Sequence, residues 1–144
     1  MIVDFGYGVD TSRVEFKQDA AKYILKNLAS QEVLDEFEGY CADNADLVED
    51  GTAEEMFVEE YEDSVSYATG IFGLIVRCIN DNECGGADIF EYDDYCVYLG
   101  ARIPANDAEK AKMLTQEDVR RILAKYLNPI LQCDVSIEHL SINN

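Results

Sequence analysis

Apolar positions along the chain change period several times, and each change marks a predicted element. Residues 2–16 alternate Val3, Phe5, Tyr7 and Val9 with small or polar neighbours, which suits an edge strand or an extended arm. Gly6 and Gly8 weaken that strand, because glycine in a strand adds backbone entropy and packs nothing. From Gln18 the period becomes helical, with Ala20, Tyr23, Ile24 and Leu28 on one face. Ser30 is placed to cap a second helix, whose apolar positions are Val33, Leu34, Phe37 and Cys41, with Gly39 fraying its end. The segment Asp43–Asp50 has only Leu47 and Val48 to bury and reads as a single helical turn or a loop.

Thr52-Ala53-Glu54-Glu55 has the form of a capping box, in which the hydroxyl serves first-turn amides and the glutamate reaches back. The spacing predicts a helix from there to about Ser66, burying Phe57, Tyr61 and Val65 and setting Glu55, Glu59 and Glu62 as successive rungs on the opposite face, with Asp63 at the margin. Gly70–Asn82 is apolar nearly all round and reads as a central helix closed by Gly85-Gly86, with a buried strand as the alternative because Ile and Val are abundant. Asp88–Tyr92 and Tyr95–Arg102 read as a hairpin around Asp93-Asp94. A helix follows Thr115, with Val119, Ile122, Leu123, Tyr126 and Leu127 inward and Arg120, Arg121 and Lys125 outward, stopped by Asn128-Pro129. Asp134–Ile142 reads as a last strand. This order predicts an α+β fold in a single domain over residues 1–144, with several helices packed on a small antiparallel sheet of three or four strands.

A chain of 144 residues with 48% hydrophobic positions can bury a core, so it is expected to fold despite a net charge of −19. That charge is regional. Residues 27–101 hold twenty Asp and Glu against one base, Arg77, while the two flanking stretches are each balanced. Glu32 to Asp63 alone holds fourteen acids and no Lys or Arg, so the surface it forms is expected to present negative charge without internal partners. Nucleic acid and anionic membranes are thereby poor partners, and basic macromolecules are the natural ones. The start of the chain lacks the basic and apolar regions of a secretory signal, and no apolar run is long enough to span a bilayer, so a cytoplasmic, soluble protein is expected.

Chemistry is thinly represented. Asp46-x-Val48-x-Asp50-Gly51 opens like a calcium loop, but position three is Val48 and position twelve is Phe57, where a bidentate glutamate is needed. The five cysteines form no Cys-x-x-Cys pair and read as small core residues, and His139 alone supports no Cys-His catalysis. Gly6-Tyr7-Gly8 lacks the rest of a phosphate loop. No enzyme activity, metal or cofactor is expected. The remaining signal is the charge, with Tyr40, Tyr61, Tyr67, Tyr92 and Tyr95 interleaved among the acids, a composition suited to gripping Arg and Lys. The bland alternative is a solvated face that serves solubility.

In size and in charge confined to one region, the chain resembles the small acidic inhibitors of phages and mobile elements, the DNA-mimicking anti-CRISPR and anti-restriction proteins. The resemblance is one of type, covers the acidic middle of the chain and carries no residue over by position. It implies a non-enzymatic protein that occupies the nucleic-acid groove of a basic partner such as an RNA-guided or restriction nuclease. The residues expected to make the contact are Glu54, Glu55, Glu59, Glu62 and Asp63, with Asp46, Glu49 and Asp50 before them and Asp93 and Asp94 at the hairpin tip. An immunity protein for a nuclease toxin, or an acidic adaptor whose charge only keeps it soluble, is the alternative.

Overall fold

The computed structural model describes residues 3–63, 68–83, 87–93, 96–103, 116–133 and 137–143. It is an α+β structure whose chain packs into two compact units, Met1–Phe16 with Gly86–Asn144, and Lys17–Gly85.

The first unit is built on an antiparallel sheet of strands β1 (Val3–Asp10), β2 (Ala87–Asp93), β3 (Cys96–Ile103) and β4 (Glu138–Asn143), in the order β2-β3-β1-β4. The expectation of an edge strand or arm at the N-terminus is corrected, since β1 is interior and pairs with both β3 and β4. The glycine of β3 that faces it then has a steric reason. Gly8 stands opposite Gly100, and a Cβ on Gly100 would run into the backbone of Tyr7 and lie 2.5 Å from the Gly8 Cα. The β2–β3 pairing places Asp93 opposite Cys96 after an irregularity between Glu91 and Asp93, where the ladder is locally disrupted. Helix α6 (Gln116–Leu127) lies against β1 and β3. Its inward residues Val119, Leu123, Tyr126 and Leu127 are buried, as are Val9 and Leu99, which face each other across the ladder. Arg120, Arg121 and Lys125 are exposed, as the helical period predicts. Beyond Asn128-Pro129 the chain is held at Leu131, which bridges Phe16, and at Gln132, whose amide donates to the Glu15 carbonyl at 2.9 Å.

The second unit holds α1 (Ala20–Tyr23), which runs into a π-helical turn at Ile24–Leu28, then α2 (Gln31–Asp43), α3 (Ala45–Asp50), α4 (Ala53–Glu60) and α5 (Gly70–Asn82). The wider π-turn closes through the Ala29 amide on the Ile24 carbonyl at 2.9 Å. Ile24, Leu25 and Leu28 are all buried on it, together with Ala20 and Ala21. Ser30 caps α2 as expected, accepting from the Val33 amide. Gly39 does not fray that helix, which continues to Asp43. α4 is the hub of this unit, touching α1, α2, α3 and α5.

Two local expectations fail here for stated physical reasons. Thr52 does not cap α4 with its side chain. α3 ends in a Schellman turn, with Gly51 left-handed at φ 76° donating to the Val48 carbonyl and the Thr52 amide donating to the Leu47 carbonyl at 3.0 Å. Thr52 therefore sits at φ −113°, ψ 6°, away from the extended conformation that an N-cap requires. Nor does α4 reach Ser66. It stops at Glu60, Tyr61 turns extended, Glu62 bridges Thr69, and the Tyr61 carbonyl accepts the amide of Gly70, which is left-handed at φ 68°.

Gly70–Asn82 is helical, which decides between helix and strand. Leu74, Ile75, Val76, Cys78 and Ile79 are buried on α5. The expected Gly85-Gly86 closure lies outside the described residues.

Candidate acidic partner-binding face

The helices that carry the acids are held together by an aromatic cluster. The Phe57 ring of α4 lies 5.2 Å from Phe37 and 5.4 Å from Tyr40, both on α2, and 5.9 Å from Tyr61. Tilted and edge-on rings at these separations each add about 0.5–1.5 kcal/mol beyond the area they bury. The phenol of Tyr40 donates to Glu60 Oε2 at 2.8 Å, and burial together with that carboxylate raises its pKa. Tyr61 is buried and its phenol is raised by burial, opposed by a hydrogen bond from Arg77. Tyr61 is thus part of the packing beneath the acids, whereas Tyr40 is half-buried with its hydroxyl on Glu60. Tyr67 and Tyr95 lie outside the described residues, as does the side chain of Tyr92.

Arg77 corrects the expectation that the acidic stretch has no internal partners. From α5 its guanidinium reaches Asp81 Oδ2 at 2.7 Å, Glu32 Oε2 at 3.2 Å, Glu36 Oε1 at 3.3 Å and the Tyr61 hydroxyl at 3.2 Å. Burial opposes its charge, but the bonds to Asp81 and Tyr61 and the field of Glu36 outweigh this and raise its pKa. Asp81 also accepts the Ser30 hydroxyl at 2.7 Å, and Asn82 Nδ2 donates to the Leu28 carbonyl at 2.6 Å. The start of α2 is thus fastened to the end of α5. Periodicity missed this network, although a lone base in a long acidic stretch, four residues before Asp81, was its readable sign.

From Glu38 to Glu62 the acids behave differently. All are exposed or half-buried, and among the described residues only Glu60 accepts a hydrogen bond, from Tyr40. Asp46, Glu49 and Asp50 are exposed on α3. Glu55 and Glu59 are exposed one turn apart on α4, and Glu54 is half-buried in its first turn. Glu62 is exposed, but it lies beyond the helix and is no third rung. Asp63 is only 2% exposed, with its amide donating to the Ala68 carbonyl at 2.8 Å, so it is removed from the face. Glu38 and Asp43 on α2 join the exposed set, and no local pattern separates them from Glu32 and Glu36 on the same helix.

Asp93 ends β2 in the other unit, and Asp94 lies outside the described residues.

Chemically the arrangement offers carboxylates and little else. Among the described residues no group of three or more His, Cys, Asp or Glu is placed to hold a metal ion. The segment that opens like a calcium loop is helical over Asp46–Asp50 and closed by Gly51. Cys41 is half-buried, and burial with Glu54 and Glu38 nearby raises its thiol, so it is a weak nucleophile there. Among the described residues no helix is long and apolar enough to cross a membrane. The chain matches no protein-family model, no curated protein and no solved structure, so the charge and its geometry are the grounds on which a function is argued.

Proposed function

We propose that this protein is a non-enzymatic inhibitor that binds the basic nucleic-acid groove of a nuclease by electrostatic mimicry, acting in the cytoplasm as an anti-CRISPR or anti-restriction protein. One observation carries the reading: from Glu38 to Glu62, carboxylates on α2, α3 and α4 stand exposed or half-buried and, apart from Glu60, without a partner among the described residues. Like charges on adjacent helical turns destabilise a helix by a few tenths of a kcal/mol per pair. A sequence that keeps them, while its one base in this stretch, Arg77, is already engaged by Glu32, Glu36 and Asp81, leaves a surplus of negative charge there. Duplex DNA carries one negative charge about every 1.7 Å of its axis, and a groove lined with Arg and Lys to receive it also receives an ordered set of carboxylates. The contact residues are then Asp46, Glu49, Asp50, Glu54, Glu55, Glu59 and Glu62, with Glu38 and Asp43 added and Asp63 withdrawn.

The test is a titration of the purified chain into DNA-cleavage reactions of guide-loaded RNA-guided nucleases, restriction enzymes and nuclease toxins. Inhibition of at least one enzyme is expected, falling steeply as salt rises from about 50 to about 200 mM. Combining Glu55→Lys with Glu59→Lys abolishes it while circular dichroism stays unchanged. Inhibition confined to nuclease toxins assigns the protein as an immunity factor. Binding that ignores both salt and charge reversal assigns an adaptor whose acids serve solubility, and absence of inhibition across the panel overturns the reading.

A further inference from the structure

We draw no further inference here: the strongest candidate, the exposed Val48 set among Asp46, Glu49 and Asp50 on α3, is a single apolar side chain on an acidic helix, and nothing in the structure shows what covers it.

Discussion

Arg77 Nε donates to Asp81 Oδ2 across 2.7 Å, one turn further along α5, and that same oxygen accepts the hydroxyl of Ser30, the residue that caps α2. A single carboxylate thereby joins the cap of one helix to the cation that holds two of its glutamates. The Arg77 side chain is 17% exposed, against 78% for Glu32 and 47% for Glu36, so the cation is the buried member and its partners are wet.

Arg77→Met is expected to lower stability by about 1–3 kcal/mol, below the cost of breaking a fully buried pair because the glutamates stay hydrated. It also leaves Glu32, Glu36 and Asp81 facing one another without a cation. Urea midpoints of the variant should therefore rise more steeply with added salt than those of the wild type. Equal salt slopes for the two proteins would show that the network carries no net electrostatic weight.

Glu59→Lys should separate folding from function. It places a base four residues after Glu55 near the C-terminal end of α4, the orientation that favours both the i,i+4 pair and the helix dipole. The expected gain is roughly 0.5–1 kcal/mol in thermal or urea unfolding. Nuclease inhibition should weaken in the same variant, and a loss of stability instead would mean that Glu59 has a structural partner.

Two helical glycines are expected to respond in opposite directions. At Gly73 a Cβ would meet the Ala68 carbonyl, its carbon at 2.7 Å, so Gly73→Ala forces backbone movement and should cost about 1–3 kcal/mol. At Gly39, inside α2, a Cβ meets nothing within 4 Å, so Gly39→Ala should stabilise by about 0.5–1 kcal/mol. Differential scanning calorimetry of the pair reads both signs.

The Cys78 thiol is buried, and burial with Asp81 nearby pushes its pKa up to about 12 from an ordinary 9.0. At pH 8 it should resist alkylation until the protein unfolds, whereas Cys133, which is exposed, should react in the native state. Mass-resolved iodoacetamide labelling distinguishes the two sites. The linked effect on stability has a definite sign. Above about pH 9 the unfolded thiol loses its proton while the folded one keeps it, so this contribution is complete below pH 9 and lost as pH rises toward 12. Tyr40 and Tyr61, both raised, add to the same alkaline decline.

Much of the helical architecture was legible in the chain because local rules govern it. The Ser30 cap, the buried face of α6 and the stop at Asn128-Pro129 follow from spacing within a few residues. Failures came where a residue was already engaged by a more distant or preceding structure. Thr52 is used by the turn that ends α3, and Tyr61 is used by Gly70, so neither served the helix that its neighbourhood implied. The candidate face divided along the same line. Glu55 and Glu59 are exposed on α4 as their spacing required, whereas the end of the helix at Glu60 left Glu62 exposed but off the helix and Asp63 buried.

By itself the sequence determined that the acids would outnumber the bases in one stretch, since charge is a property of composition that folding cannot alter. It also set the amphipathic faces, because a 3.6-residue period decides which positions share one side of a helix. Only the tertiary structure decided which acids remain free. Arg77 lies more than forty residues from Glu32 and Glu36, and the Gly70 amide donates to the carbonyl of Tyr61, well before it in the chain. Pairings at such separations depend on where the helices pack, and no local pattern in the chain encodes that distance.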